Sequence, residues 1–379
     1  MNQARTDPEQ ELNQAIARLR RCARCVLPAT VPFVELDLAG VCRHCREHPV
    51  VPLGGKPALF ALADRIRSAR GKPDCIVALS GGRDSCYVLH YVKRELELNP
   101  IAFTYDWGMV TPLGFRNQER MCRALGVERI HLAARVAKVR AHIRANVKAW
   151  LERPRLGMVP LVMAGDKHFF YHAQRIQRRL GLATMFFGMA EDYENEDFKE
   201  GFCGARTEGR RPGKHSYGTT LRQKARVALY YFGNFLANPA YLNPSLPGTA
   251  FGFFSYYLLP HDYFVNLFSH VPWREEEIVE TLRARYGWES PADTRSTWRA
   301  GDAACAFVNH LYLAVAGFTE NDFLRSNQVR HGDLSRERAL ELVLLENRVR
   351  MESLREFCDL VGLDLDKTLE AIGRIPSLF

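Results

Sequence analysis

Ser80-Gly81-Gly82-Arg83-Asp84-Ser85 gathers two hydroxyls, two glycines, a guanidinium and a carboxylate in one short run. The glycines let the backbone approach a ligand closely and adopt φ values that a Cβ forbids. The serines add hydroxyl donors, and Asp84 can cap a helix or help to hold Mg²⁺. A second constellation lies upstream. Cys22-Ala23-Arg24-Cys25 and Cys42-Arg43-His44-Cys45 form two C-x2-C pairs with 16 residues between them. Four thiolates at this spacing suit a closed, structural zinc site. An iron–sulfur cluster and redox-active pairs are the competing readings, and His44 or His48 is a substitute ligand.

The elements that must position the first run are short. Cys75-Ile76-Val77-Ala78-Leu79 has the length and branching of a buried strand, and Cys86 to Val92 carries apolar residues at helical spacing. The serine–glycine run is therefore a strand-to-helix turn, where unpaired N–H groups and the helix dipole favour an anion such as phosphate. It lacks the G-x-x-x-x-G-K-[ST] pattern of a Walker A loop. Further strands are expected at Pro100–Tyr105, 128–132 and 183–188, with helices at 113–125, 134–150 and 166–180. The alternation predicts an α/β fold, a parallel sheet with helices on both faces. Ligands in such sheets sit at the carboxyl ends of strands. The candidates there are the serine–glycine turn, Asp106-Trp107-Gly108 and Gly188-Met189-Ala190-Glu191-Asp192.

Around this block, residues 8–20 and 58–70 read as helices, and Pro28 to Val41 as a small hairpin that needs metal to be stable. Residues 191–217 read as one long polar loop, acidic at its start and basic at its end. Phe251 to Phe268 is rich in aromatics, but Pro260, His261, Asp262 and Asn266 interrupt it. It reads as buried core or a pocket wall rather than a membrane span. Helices are expected at 273–286 and 303–316 and through the C-terminal third, with Asp302 and Ser335 as helix caps. Arg299, Asp302, Asn309 and His310 are candidates to touch substrate. There is no internal repeat.

The chain has 379 residues, 47% of them apolar, and a net charge of +9 carried mostly by arginine. That balance suits phosphate-bearing partners, although no tight basic run marks a nucleic-acid arm. Met1 to Asp7 has no apolar leader segment, and a cytoplasmic location is expected. The ten cysteines do not form a disulfide framework, since four are grouped at metal spacing and the rest are scattered.

S-G-G-x-D-S after a buried strand resembles the signature of the PP-loop ATP pyrophosphatases, the adenine nucleotide α-hydrolase-like group. The resemblance implies a Rossmann-like domain that cleaves ATP between its α and β phosphates and places AMP on a carbonyl oxygen. It implies nucleotide contacts at Ala78, Leu79, Ser80, Gly81, Gly82, Arg83, Asp84, Ser85, Tyr105, Gly188 and Glu191. It implies catalytic roles for Asp84, Ser85, Asp106 and Asp166, where Gly165-Asp166-Lys167-His168 is similar to a family T-D-H element. C-x-x-C-V-L-P followed by G-V-C-x-x-C and then D-C-I-V-A-L-S-G-G-R-D-S narrows the resemblance to the N-acetyl sugar amidotransferases of surface-polysaccharide biosynthesis. Arg285-Tyr286-Gly287-Trp288 is similar to their F-G-W element.

The resemblance implies a transferase that uses ATP and Mg²⁺, a structural Zn²⁺ at Cys22, Cys25, Cys42 and Cys45, and a nucleotide-sugar substrate. It also implies a separate glutaminase subunit as ammonia source, with neither membrane nor nucleic acid as the expected partner. Residues 1–50 would be the N-terminal helix and zinc ribbon, 56–270 the ATP-binding domain and 271–379 a helical substrate or interaction region. Two alternatives stand beside this one. One is a sulfurtransferase acting on a tRNA base or small heterocycle through Cys122 or Cys203. The other is a zinc-ribbon RNA-binding or scaffold protein with an inactive loop.

Overall fold

Cys75–Ala78 is buried along its whole length, as a central strand covered on both faces must be. In the computed structural model, which describes residues 8–48, 52–68, 71–190, 193, 197–206, 220–259 and 263–379, this strand (β1) is the middle of the sheet. The others are β2 (Pro100–Asp106), β3 (Arg129–Ala133), β4 (Met185–Phe187) and β5 (Phe264–Asn266). All pairings are parallel, in the order β3-β2-β1-β4-β5. The chain therefore leaves β1 toward one edge and returns on the other side at β4. That reversal opens a crevice above the carboxyl ends of β1 and β4.

Period-2 alternation divides the core. Ile76 and Ala78 join Phe103, Met185 and Phe264 on one face, while Cys75, Val77 and Leu79 join Ala102 and Phe186 on the other. The first of these cores also takes in the four N-terminal cysteines and the helix Ala303–Ala316, most of whose residues are buried. The helix Glu320–His331 is buried from Glu320 to Gln328 although most of those residues are polar. Its side chains are satisfied by partners on several other elements, as buried polar groups must be.

The parallel α/β expectation holds, and three details differ from the sequence reading. The aromatic stretch forms a helix, Leu246–Tyr257, and the three-residue strand β5. A strand that short carries too little periodicity to stand out in sequence. The segment from Pro28 to Val41 is not a hairpin: it runs through turns, and its one ladder contact is an isolated bridge between Arg21 and Pro28. Phe33 (φ 56°) and Glu35 (φ 45°) are left-handed there, which breaks any extended run. Residues 191–217 are not one continuous loop, because Phe198–Phe202 is helical and Phe198 is buried against Tyr312 and Phe323. Among the described residues no helix is long and apolar enough to cross a membrane.

Candidate functional site

The serine–glycine turn sits where the topology places it, after β1 and before the helix Arg83–Arg94. Its shape is set by bonds within it and behind it. Ser85 Oγ accepts from Ser80 N (3.1 Å), donates to the Gly82 carbonyl (3.1 Å) and meets Ser80 Oγ at 3.0 Å. Gln118 Nε2 donates to the Ser80 carbonyl, and Asn117 Nδ2 and Trp288 Nε1 both donate to that of Gly81. Gly81 has φ +89°, and a Cβ there would lie 2.4 Å from the Gly114 carbonyl oxygen. With all its carbonyls facing protein partners, the turn presents the start of the helix outward. Gly82, the N-cap, has no side-chain capping bond, so the first-turn N–H groups remain for a ligand.

Arg83 does not point into the cleft as a free cation. Its guanidinium donates to Asp84, to Glu275 Oε1 (2.9 Å) and to Thr297 Oγ1 (2.7 Å), and it stacks 4.7 Å over the Trp273 ring. Asp84 is held in turn: Oδ1 accepts from Trp273 Nε1 (2.8 Å) and Arg83 Nε, and Oδ2 accepts from Arg83 Nη2 (3.0 Å). Glu275 is the hub, since Arg325 also donates to it. Burial alone would push the Glu275 acid form up, but Arg325 and Arg83 overcome this and hold its carboxyl down to about 2.

A cavity of about 300 Å³ opens above this turn at the ends of β1, β2 and β4. That volume is at the lower end of the range for small-molecule sites. Ala78, Leu79, Ser80, Gly82, Arg83, Asp84, Ser85, Tyr105, Asp166 and Gly188 all line it. Gly188 must be small, because a Cβ would meet Val88 at 2.7 Å and the Asp84 carbonyl at 3.0 Å. Asn266 on β5 braces the chain just after it, accepting from Met189 N and donating to its carbonyl. Gly81 packs behind the turn rather than into the cavity, and Asp106 Oδ1 accepts from Gly108 N at 2.8 Å, so that this carboxylate closes its own turn. His168 Nε2 donates to the Gly248 carbonyl at 2.7 Å, away from the cavity wall. Glu191 lies outside the described residues, as do Asp192, Arg210 and Lys214.

The far wall comes from the segment Thr297–Asp302, where the sequence offered Arg299 as a possible substrate contact and Asp302 as that or a helix cap. It is clamped to the chain after β2: Thr111 N donates to the Gly301 carbonyl, Ala303 N to that of Met109, and Val110 bridges Asp302. Arg299 and Asp302 reach the cavity. Asn309 instead bonds Glu320 and Cys305, and His310 lies in a separate small cavity. Asp166, Lys167, Tyr256 and Arg299 also line a second chamber of about 110 Å³, so the two spaces adjoin. That chamber is walled by Tyr231, Phe253, Tyr257 and Tyr312, with Lys199, Glu200 and Cys203. The aromatic segment thus supplies pocket wall as well as core.

Cys22, Cys25, Cys42 and Cys45 are buried, with all four sulfurs within 4.8 Å of one another. Cys22 and Cys45 sulfurs are 3.9 Å apart, and those of Cys25 and Cys42 are 3.7 Å apart. A tetrahedral ion about 2.3 Å from each of four sulfurs would set them about 3.8 Å apart. Backbone N–H groups of Arg24, Cys25 and Cys42 donate to Cys22 Sγ. The set could hold one metal ion such as zinc. Arg330 Nη1 lies 3.3 Å from Cys25 Sγ, and Arg21 pairs with Asp322 at 2.6 Å. The cysteine site is therefore joined to the helix Glu320–His331, whose other end carries Glu320 to Arg299 and Lys199 in the cleft.

No family model matches this chain, and no curated protein matches it.

Proposed function

We propose that the chain is an ATP-dependent amidotransferase that forms AMP and pyrophosphate and exchanges the oxygen of an N-acyl group, as on an N-acetyl sugar, for nitrogen from ammonia. The reading is carried by one juxtaposition. A side-chain-uncapped helix start fixed by Ser80 and Ser85 faces, across a single cavity, the acids Asp166 and Asp302 and the cations Lys167 and Arg299.

In this reading the phosphates of ATP lie on the first-turn N–H groups and the Ser80 hydroxyl, while Ser85 donates its proton to the Gly82 carbonyl. Mg²⁺ arriving with ATP would be held by its phosphate oxygens and by Asp84, whose Oδ2 accepts only one hydrogen bond. The ion supplies neutralisation of the charge that develops on the departing pyrophosphate. The acyl acceptor enters from the aromatic chamber, so that its carbonyl oxygen meets the α-phosphorus near Asp166 and Lys167. Arg83 acts at one remove: it fixes Asp84 and the start of the helix, with four of its five N–H groups engaged by Asp84, Glu275 and Thr297. Bound ATP and acyl acceptor would themselves have to fill the cleft and keep water from the activated acyl carbon. The four-cysteine site with zinc bound braces the helix that carries Glu320. A glutaminase partner supplies ammonia.

The sulfur-transfer alternative requires a thiolate at Cys122 or Cys203. Burial pushes Cys203 up to about 12, and its single S–H lies within reach of the Gly157 carbonyl at 3.5 Å and the Lys199 carbonyl at 3.6 Å. Cys122 packs against the other core and does not line the cavity. Neither environment is the electropositive one that activates a cysteine, which favours ammonia.

The test is incubation of the full chain with ATP, Mg²⁺, ammonium and a panel of N-acetylated nucleotide sugars. AMP, pyrophosphate and a product lighter by the difference between oxygen and NH are expected. Formation of ADP, or of no nucleotide product, refutes the reading.

A further inference from the structure

We propose that Asp302 is the general base that removes a proton from the attacking nitrogen, an assignment that rests on the amidotransferase reading above. The sequence offers Asp302 both as a helix cap and as a candidate to touch substrate, and the structure shows that capping uses only half of it. Oδ1 accepts from Ala304 N at 2.9 Å at the start of the helix Ala303–Ala316. Oδ2 has no hydrogen-bond partner among the described residues, and the residue lines the same cavity as Ser80 and Asp84. A cap needs one acceptor, and a carboxylate with its second oxygen turned to a cleft has a lone pair to use there.

The segment that delivers Asp302 is held at some cost. Arg299 has φ +44°, a left-handed conformation that a non-glycine residue rarely adopts, and its guanidinium is tied to Glu320 at 3.7 Å. Backbone strain of this kind persists only where surroundings over-determine it, and it clusters at functional sites. Here the clamps from Met109 and Thr111 do so, and they fix the carboxylate relative to β2.

The charges around Asp302 give it the right proton affinity. Burial raises it first, Asp166 across the cavity raises it further, Arg299 lowers it, the Ala304 N–H bond lowers it and Glu320 on the next helix raises it; Lys167 faces the same space. The balance brings its carboxyl up to about 7. A base of that strength is a carboxylate about half the time at neutral pH and accepts a proton far more readily than an ordinary aspartate.

The step balances as follows. The lone pair of ammonia forms a C–N bond to the adenylated acyl carbon as the C=N π pair of the activated amide moves onto the amide nitrogen. One N–H proton of the new ammonium passes to Asp302 Oδ2. The amide nitrogen lone pair then re-forms C=N as the C–O bond breaks, and the C–O electron pair leaves with AMP. Asp302 returns the proton to water.

The experiment compares the full chain with Asp302→Asn and Asp302→Ser, both of which retain a side-chain N-cap acceptor. Two rates are measured from pH 6 to 9: pyrophosphate–ATP exchange without ammonia, and amidine formation with ammonium chloride. We expect nitrogen transfer at pH 7 to fall about 100-fold or more relative to exchange, the usual scale for losing a general base. Once rates are divided by the free-ammonia concentration at each pH, the rise in wild-type nitrogen transfer near pH 7 should vanish in both variants. Equal loss of exchange and transfer, or an unchanged pH profile, refutes the assignment and leaves Asp302 as a cap. If the wild-type chain shows no exchange with any acceptor, the amidotransferase reading falls, and this assignment with it.

Discussion

Replacing Glu275 by Gln tests whether the charge cluster behind the turn is what holds it. Glu275 receives Arg83 Nη1 at 2.9 Å, Thr297 Oγ1 at 2.6 Å and Arg325, and it is nearly buried. Its carboxyl is held down to about 2 from an ordinary value near 4.5. A difference of about 2.5 pH units, at about 1.4 kcal/mol each, corresponds to about 3 kcal/mol of folding stability. Removing one partner of a buried ion pair costs about 3–5 kcal/mol by a separate line of argument, because it strands the other charge. The lower end applies here, since Arg325 keeps Glu346 and Arg83 keeps Asp84. With about 2.1 cal/mol/K of unfolding entropy per residue over 379 residues, the loss lowers Tm by about 4 °C.

The pH dependence has a definite sign. The folded form holds Glu275 ionised more strongly than the unfolded chain does. Its contribution is therefore complete above about pH 4.5 and disappears as the pH falls toward about 2. Urea unfolding of wild type and Glu275→Gln should differ by about 3 kcal/mol at pH 7 and converge as the pH falls to about 2. A difference under about 1 kcal/mol at pH 7, or one that does not shrink with acid, refutes the reasoning.

Gly81→Ala should abolish AMP binding by calorimetry, because φ +89° costs an alanine about 1–2 kcal/mol and its Cβ would collide with the Gly114 backbone. Cys203→Ser should leave amidine formation within about twofold, since a thiol raised to about 12 is not a nucleophile at neutral pH; a loss of 100-fold or more would restore the sulfur reading. Metal analysis should find one zinc per chain, and Cys25→Ser should lower both zinc content and Tm; retention of a full equivalent would show that the four sulfurs are not the ligands.

The turn was legible because its chemistry is local. Two glycines between a branched apolar run and a helical run leave few other conformations, and β1 and the helix Arg83–Arg94 lie where the spacing places them. The cysteine pairs were legible for the same reason: each C-x2-C is one turn, and the structure brings the two turns to metal distance. The far wall was not. Thr297–Asp302 lies more than 200 residues downstream of Ser80, and nothing local shows that Asp302 faces it or that Arg299 is left-handed.

The sequence by itself determined what Ser80–Ser85 and the cysteines are chemically equipped to hold, because short-range backbone geometry follows from a few adjacent residues. Tertiary packing alone decided that Arg83 is tied off by Glu275, that Asp106 turns back on its own loop, and that Asp302 shares a cavity with Asp166. Those outcomes depend on the charges and carbonyls that distant segments bring to each side chain, and burial makes such pairings decisive only once the chain has closed around them.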